Sequence, residues 1–183
     1  MIPAEDIDDT PKEENWTLKT EENLRAAFAG ESQANRRYLA FSKKAVDEGY
    51  PQIAKLFRAA ADSETVHALS HLRVLKGVKT THENLQEALM GETYEFEKMY
   101  SEFIEAANKE GRKDAIVTFR NASEAEKGHA KYYQKAIEVL KTAKDLASAD
   151  YFVCQVCGHT AESEAPESCP VCGSPKKMFK KIE

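Results

Sequence analysis

The chain has 183 residues and a formal net charge of −5, with 42% hydrophobic and 31% charged residues, and this length accommodates one medium domain and a small one. The acidic balance does not favour a nucleic-acid partner, which usually requires a basic surface, and no apolar run approaches the length of a membrane span. Only 8 glycines and 6 prolines are present, and this scarcity of helix breakers favours an α-helical fold.

The two ends of the chain differ from its long middle part. Residues 1–17 are interpreted as a flexible acidic leader; the first fifteen lack the basic and apolar parts of a secretory signal, so the cytoplasm is the expected compartment. All four cysteines follow residue 150, and in a reducing compartment such cysteines bind metal or carry redox chemistry rather than form disulfides. The change in composition predicts a helical domain over residues 18–147 and a small domain over residues 151–183.

Four amphipathic helices are predicted in the first domain, because apolar residues recur there at spacings of three and four. Their expected bounds are Thr20–Glu48, Pro51–Lys76, His82–Lys109 and Arg112–Ala147. The connections are short and contain Gly49, Gly77 and Gly111, a residue type suited to the end of a helix. The pattern predicts an all-α four-helix bundle.

Acidic residues and histidines interrupt the apolar stripes of these helices. Each helix has one glutamate in its stripe, and the second and fourth helices add a histidine three positions later. The third helix adds a second glutamate at the same spacing. These residues are Glu31 in the first helix, Glu64 and His67 in the second, Glu92 and Glu95 in the third, and Glu126 and His129 in the fourth.

The two predicted helical hairpins repeat one another. Glu31 and Glu64 are 33 residues apart, and Glu92 and Glu126 are 34 residues apart. A glycine precedes the first glutamate of each pair, and the second glutamate begins a Glu-x-x-His-Ala sequence. Both hairpins therefore offer one glutamate followed by Glu-x-x-His.

Singly, these residues have ordinary structural explanations, such as a glutamate at the rim of a stripe or a histidine held by hydrogen bonds. As a set, five carboxylates in the centre of a bundle repel one another and lose hydration, which costs several kcal/mol for each uncompensated charge. Two divalent cations offset that cost, and carboxylates with one imidazole per metal suit iron or manganese. The set also matches the ligand pattern of ferritin-like di-iron bundles.

The small domain contains two Cys-x-x-Cys-Gly motifs, Cys154–Gly158 and Cys169–Gly173. The glycine of each motif allows a sharp turn that points backbone N–H groups at the sulfurs, so the pair predicts a tetrahedral site of four thiolates. A domain this small usually needs a bound metal or another cross-link to be stable. Four sulfur ligands suit zinc as well as iron, and a structural zinc ribbon is the usual interpretation in isolation; the neighbouring di-iron site favours iron.

In combination, these motifs resemble those of the rubrerythrin family, and the resemblance covers about Leu18 to Glu183. It implies a ferritin-like di-iron domain followed by a rubredoxin-like domain with one iron. Four carboxylates are then shared by the two irons of the first domain, and four sulfurs hold the iron of the second. The carboxylates are those of Glu31, Glu64, Glu92 and Glu126, and the sulfurs are those of Cys154, Cys157, Cys169 and Cys172.

The resemblance also implies roles for the remaining residues. His129 corresponds to a permanent ligand of one iron, whereas the other iron alternates between Glu95 in the oxidised state and His67 in the reduced state. Glu95 is absent from simpler ferritin-like patterns, and it favours rubrerythrin over a bacterioferritin. Tyr38 and Tyr100 correspond to tyrosines beside the irons, although each is also explained as a core aromatic residue with a satisfied hydroxyl.

The activity that the resemblance implies is that of a peroxidase. Hydrogen peroxide is reduced to water at the di-iron site, with electrons delivered through the four-cysteine iron, in defence against oxidative stress. The electron donor is expected to be a separate reductase or a rubredoxin, because the chain has no Gly-x-Gly-x-x-Gly nucleotide motif. The alternatives are a ferroxidase or oxygen-reducing oxidase at the same site, and an iron-binding protein with a structural zinc ribbon.

The connection between the second and third helices predicts a homodimer. Those helices run parallel in this fold, so the connection must return along a helix of about 39 Å. The link from Gly77 to Thr81 reaches at most about 18 Å. The first hairpin of one chain is therefore expected to pack with the second hairpin of another, in a swapped dimer. An up-down-up-down monomer is the competing topology.

Overall fold

The structure is a computed structural model and describes residues 16–183. It contains a first compact unit that ends at Val78 and a second unit, Lys79–Glu183. Residues 1–15 of the predicted leader lie outside the described residues, and the first helix begins at Trp16. Within residues 16–183, no helix has both the length and the apolar character needed to cross a membrane.

The first unit is a hairpin of two helices, α1 (Trp16–Asp47) and α2 (Pro51–Val74). Gly49 makes the turn at φ +82°, and Pro51 takes the first helical position, where its missing N–H has no intrahelical partner to lose. Small side chains form the seam between the two helices. The buried residues of this seam are Ala34, Ser42, Ala45, Ala54, Ala61 and Ala68. The hairpin is therefore held by close approach of its helices rather than by large apolar side chains.

The helical part of the second unit consists of α3 (Thr81–Tyr94), a π-helical turn (Glu95–Met99), α4 (Tyr100–Lys109) and α5 (Lys113–Leu140). The first three follow one another without a break. A capping box starts α3, in which Thr80 Oγ1 accepts a hydrogen bond from the Glu83 N–H at 3.3 Å. Both α3 and α4 pack against α5.

Three helices end earlier than the sequence predicts, and α1 does so by one residue, at Asp47 rather than Glu48. The fourth predicted helix extends to Ala147, but α5 ends at Leu140, and Ala143 has φ +56°, a conformation that a right-handed helix cannot contain. No glycine or proline lies between Leu140 and Tyr151 to signal this end. The second predicted helix similarly extends two residues beyond Val74, the end of α2.

The remaining part of the second unit is a small three-stranded antiparallel sheet in the order β2-β1-β3. The strands are β1 (Tyr151–Cys154), β2 (Thr160–Glu162) and β3 (Phe179–Ile182). The buried residues of this part include Cys154, at the end of β1, and Cys169, between β2 and β3. Helices followed by a small four-cysteine domain confirm the fold class that the sequence predicts.

Candidate metal centres

The first unit brings together Glu31 of α1 with Glu64 and His67 of α2. One potential ligand atom from each of these side chains lies within 4.8 Å of the other two. His67 Nδ1 lies 2.8 Å from Glu64 Oε2. The Glu64 side chain is 18% exposed and that of His67 is 52% exposed, so the imidazole is the more open member of this pair.

The second unit brings together the equivalent residues, Glu92 of α3 with Glu126 and His129 of α5, again with ligand atoms within 4.8 Å of one another. His129 Nδ1 lies 2.7 Å from Glu126 Oε2 and 3.6 Å from Glu92 Oε1. All three side chains are mostly enclosed. Each unit thus presents two carboxylates and one imidazole, as the repeat in the sequence predicts.

The carboxylates of the second unit are poorly compensated by the protein itself. Burial raises the pKa of Glu92, and the adjacent carboxyl of Glu126 raises it further. Burial also raises the pKa of Glu95, with a further contribution from the charge of Glu92. A divalent cation would supply the missing positive charge. The donor set therefore fits a metal that accepts carboxylate oxygen together with imidazole nitrogen, such as iron or manganese.

Glu95 lies outside both close groups of potential ligands, and its predicted exchange with His67 on the other iron stays a prediction. Among the described residues, the close group around His129 contains Glu92 and Glu126 and leaves out Glu95. Glu95 is nevertheless near enough to Glu92 for the two charges to interact. It is the first residue of the π-helical turn, and single π-helical turns occur frequently at functional sites.

The π-helical turn explains why the two hairpins differ in length. The first glutamate precedes a tyrosine by 7 residues in one hairpin, Glu31 to Tyr38, and by 8 in the other, Glu92 to Tyr100. From that tyrosine to the Glu-x-x-His motif, both hairpins have 26 residues. The extra residue therefore lies between Glu92 and Tyr100, where the Tyr100 N–H bonds to the carbonyl of Glu95. A hydrogen bond over five residues absorbs one inserted residue without breaking the helix.

Tyr38 and Tyr100 occupy equivalent places in two aromatic triads, one in each unit. In each triad, the tyrosine ring lies 6.2 to 6.3 Å from two phenylalanine rings that are 5.5 Å apart. The triads are Tyr38 with Phe41 and Phe57, and Tyr100 with Phe103 and Phe119. Burial, followed by the charges of Glu95, Glu126 and Glu92, raises the pKa of Tyr100, so its hydroxyl lies near the carboxylates.

Two residues near the second group were not predicted as site residues. Burial and then the charges of Glu92 and Glu126 raise the pKa of Tyr133. Tyr133 follows Glu126 by seven residues, about two helical turns, and this spacing could have indicated that both lie on one face of α5. Thr160 is the other, with its Oγ1 3.1 Å from His129 Nε2. No spacing in the sequence indicates this contact, because Thr160 belongs to the small domain.

The four cysteines of the small domain converge on one point, with their sulfurs within 4.8 Å of one another. Cys154 Sγ lies 3.7 Å from Cys172 Sγ, and Cys157 Sγ lies 3.5 Å from Cys169 Sγ. A tetrahedral metal with bonds of about 2.3 Å to sulfur requires sulfur–sulfur edges of about 3.8 Å, whereas a disulfide requires about 2.05 Å. The geometry fits a tetrahedral metal and not a disulfide pair.

Each Cys-x-x-Cys-Gly motif forms the tight turn that the sequence predicts. The Gly158 N–H donates to the Cys154 carbonyl at 2.9 Å, and the Gly173 N–H donates to the Cys169 carbonyl at 2.9 Å. These glycines have φ values of +83° and +73°, which are strained for residues with a Cβ. The two motifs therefore present their sulfurs with matching backbone geometry.

Comparison with known families gives two matches. Residues 22–137 match the model of the family described as Rubrerythrin, and residues 152–180 match the model described as Rubrerythrin, rubredoxin-like domain. The first match includes all the glutamates and histidines of the two groups, and the second includes all four cysteines.

Individual relatives agree with these matches. Rubrerythrin-2 of Clostridium acetobutylicum is 40% identical over 174 residues, which cover 87% of this chain and 95% of that protein. Nigerythrin of Nitratidesulfovibrio vulgaris is 35% identical over 87% of this chain and 85% of its own length. A solved structure of fully reduced, all-ferrous nigerythrin has a TM-score of 0.54 and 33% identity, and the alignment covers 89% of this chain and 86% of that one. The chain therefore belongs to the rubrerythrin family.

Proposed function

We propose that the protein is a non-haem di-iron peroxidase that reduces hydrogen peroxide to water with electrons passed through its rubredoxin-like iron centre. The observation that carries this proposal is the combination of two matching Glu, Glu and His groups with a tetrahedral cysteine group in one chain of this family. The all-ferrous nigerythrin relative supports iron as the metal. The expected role is defence against peroxide in the cytoplasm.

The two groups would hold two irons between them, and the cysteines would hold a third. When bound, the di-iron pair supplies one electron from each ion and Lewis acidity towards the peroxide oxygens. The protein would contribute the ligands and their orientation. The proposed constant ligands are Glu31, Glu64, Glu92, Glu126 and His129 for the pair, and Cys154, Cys157, Cys169 and Cys172 for the single iron.

His67 and Glu95 are proposed to exchange as ligands of one iron when its charge changes. A carboxylate brings negative charge to the more positive oxidised ion, whereas the neutral imidazole suits the reduced ion. Tyr38 and Tyr100 are proposed to lie beside the irons and to limit the access of water there.

We also propose that the protein is a homodimer in which helical hairpins are exchanged. Residues 75–80, which connect α2 to α3, reach at most about 22 Å, whereas α2, with 24 residues, is about 36 Å long. Residues 75–80 are therefore too short to return along α2 and place α3 parallel to it within one chain. Each di-iron site would take one Glu, Glu and His group from each subunit.

The electron donor is proposed to be a separate reductase or a rubredoxin. The small domain would receive one electron at a time and pass it on, because a single iron with four thiolates changes charge by one unit. Two such transfers would replace the two electrons that each peroxide takes up.

Metal analysis combined with a visible spectrum tests the assignment of the cysteine centre. Protein purified under iron-replete conditions is expected to contain three irons per chain, two in the helical domain and one at the cysteines, and to show the red colour of ferric thiolate. A colourless protein with zinc at the cysteines would favour the structural zinc ribbon instead.

Stopped-flow oxidation of the fully reduced protein separates the peroxidase from the oxidase. Peroxide is expected to oxidise the di-iron pair much faster than dissolved oxygen does at equal concentration. If oxygen reacts faster, the activity is that of a ferroxidase or an oxygen-reducing oxidase at the same site.

A further inference from the structure

We propose that a cluster of lysines on the small domain is the docking surface for the electron donor, and that this donor presents an acidic surface beside its own redox centre. The inference rests on the proposed function, because it concerns the protein that reduces the four-cysteine centre. It adds the charge of that partner and the residues that it meets.

The lysine patch consists of Lys176, Lys177, Lys180 and Lys181, and it reverses the charge of the molecule locally. These residues are all the lysines and arginines of the small domain, and they lie within six consecutive positions. The whole chain has a formal net charge of −5, so it repels an acidic protein at long range. A basic patch beside the cysteine centre offers such a protein one favourable place to approach.

Two lysines of the patch have no charged partner within the chain. Lys176 and Lys181 form exposed ion pairs with acidic residues of the same unit, with nitrogen–oxygen distances of 2.9 and 2.8 Å. Lys177 and Lys180 are exposed, and neither forms an ion pair with any residue in the described range 16–183. Their charges are therefore available to carboxylates of another protein.

The position of the patch leaves it open to a partner. β2 packs on α5, and β1 lies between β2 and β3. β3, which carries Lys180 and Lys181, is thus the edge strand on the far side of the sheet from β2. Its residues are exposed from Lys180 to its end. A protein bound at the patch would not disturb the contact between the small domain and α5.

The segment that carries the patch contacts both cysteine motifs. Gln155, inside the first motif, donates its N–H to the Met178 carbonyl at 2.8 Å. Ser174, just before the patch, has its Oγ 3.2 Å from Cys172 Sγ. Cys157 and Cys172 are partly exposed, whereas the other two cysteines are buried. A donor held at the patch would therefore stand close to the sulfurs that are nearest to solvent.

Lysines on an edge strand also have an ordinary explanation, since they prevent sheets from pairing edge to edge. This explanation covers Lys180 and Lys181 in β3, but Lys176 and Lys177 belong to the 3-10 turn that precedes the strand. It also predicts a different result. Removal of a merely protective charge leads to self-association and leaves the rate of electron transfer unchanged.

The reaction at this surface is the transfer of one electron, and no bond forms or breaks. The reduced donor loses the electron, and the cysteine centre gains it. The complex has to form and separate twice for each peroxide, so a contact that charge forms rapidly suits the task better than a tight one.

Anaerobic stopped-flow reduction tests the patch with reduced flavodoxin, an acidic flavoprotein, as the probe donor. Loss of the ferric-thiolate absorption reports the second-order rate constant, with peroxide absent. Lys177→Gln combined with Lys180→Gln is expected to lower this rate constant about tenfold at low ionic strength. Arginine at both positions keeps the charge and is expected to keep the rate constant.

The dependence on salt gives the sign of the interaction. Between about 0.01 M and about 1 M ionic strength, the screening length falls from about 30 Å to about 3 Å. The rate constant of the original protein is expected to fall over this range, and its advantage over the glutamine variant is expected to disappear. A rate constant that rises with salt would mean repulsion and would overturn an acidic partner.

Lys43→Gln combined with Lys55→Gln is the matched control, because it removes the same charge from two exposed lysines of the first hairpin. It is expected to change the rate constant less than about twofold. Equal slowing in the control, or an unchanged rate constant in the patch variant, would overturn the docking surface. Self-association of the patch variant without slowing would assign a protective role instead, and lost binding to anionic vesicles without slowing would assign a membrane surface.

Carbodiimide cross-linking gives a readout that depends on neither electron transfer nor peroxide turnover. The reagent joins a lysine amine to a carboxylate in contact with it, and mass spectrometry of the fragments identifies the lysine. Cross-links to flavodoxin are expected at Lys177 and Lys180, and cross-links confined to lysines of the helices would overturn the proposal. If peroxide turnover is absent in the original protein, the proposed peroxidase fails, whereas the cross-links and the reduction rate still decide where the donor docks.

Discussion

The carboxyl group of Glu92 illustrates how a metal ligand lowers the stability of the metal-free protein. Burial raises its pKa above the ordinary value of 4.5, and Glu126 adds to the shift. The unfolded chain therefore ionises this group at a lower pH than the folded chain does. As the pH rises through 4.5, the unfolded state binds fewer protons than the folded state, and the free energy of unfolding falls. Bound cations reverse this penalty by favouring the ionised group.

Glu92→Gln is expected to stabilise the metal-free protein at pH 7 by about 1 kcal/mol, a usual size for one stabilising substitution. The glutamine keeps the shape of the side chain and removes the repulsion with Glu126. Urea denaturation with a chelator present measures the change, which should disappear below about pH 4, where both states are protonated. The exposed Glu102→Gln is the matched control, and equal stabilisation there would contradict the explanation. The same Glu92→Gln protein is expected to bind less iron.

His67→Ala is expected to leave oxidised iron bound and to slow peroxide turnover about 10- to 100-fold. The reason is that the reduced iron loses its proposed imidazole ligand, whereas the oxidised iron keeps the carboxylate of Glu95. Iron content of the oxidised protein and the turnover rate are the two measurements. His71→Ala, one helical turn further along α2, serves as the control. Turnover unchanged in His67→Ala would refute the exchange of ligands.

At the scale of single elements, the π-helical turn Glu95–Met99 is the feature that distinguishes the second hairpin from the first. The repeat is otherwise in register, including the aromatic triads and the Glu-x-x-His motifs. The additional residue therefore changes one turn of one helix and leaves the triads and the Glu-x-x-His motifs in equivalent positions. That turn begins at Glu95, the carboxylate for which the first hairpin has no counterpart.

Deletion of Glu97 tests this interpretation, because it makes the two hairpins equal in length. A regular α-helix is expected to form through the turn, and each residue on one side of it rotates by about 100° relative to the other. Glu92 and Glu95 stay three residues apart on one face, but their direction relative to Tyr100 and the following part of the helix should change, and peroxide turnover should fall at least about tenfold while the helix content by circular dichroism is kept. Glu97→Ala changes the same turn without changing its length, and a comparable loss there would argue against the role of the insertion.

At the scale of the whole molecule, the first hairpin buries little beyond alanine. Its seam holds small residues, while larger apolar side chains of α2 remain open, including Leu56 at 68% and Val66 at 60% exposure. Two helices alone cannot enclose side chains of this size, and exposed apolar surface of this kind favours association. The proposed exchange of hairpins would cover these side chains and complete each metal site with one step of assembly.

Lengthening the connection between α2 and α3 tests the exchange. The protein is expected to be a dimer with both irons of each site bound. Insertion of about twelve Gly and Ser residues after Gly77 raises the reach of the connection to about 60 Å, so the helices can then pair within one chain. The lengthened protein is expected to be a monomer by analytical ultracentrifugation and to keep its iron. A monomeric original protein with iron bound would rule out the exchange.

The sequence alone determined the helical class, the repeated glutamate and histidine motifs and the paired cysteine motifs. These are signals of local spacing: ligands three residues apart share a helix face, and a Cys-x-x-Cys-Gly turn shapes its own backbone. The same local spacing explains why Glu64 lies beside His67 and Glu126 beside His129. Local spacing did not predict the end of α5 at Leu140, because no glycine or proline follows there to end the helix.

Only the tertiary structure decided the contacts between segments distant in the chain and the form of the helix at Glu95. The extra residue of the second repeat is visible in the sequence, but whether it loops out or is taken into a π-helical turn depends on packing against α5. The bond between His129 and Thr160 likewise arises from the docking of β2. Local spacing cannot encode that docking, because it is the sum of many weak contacts that form only when the domain folds against the helix.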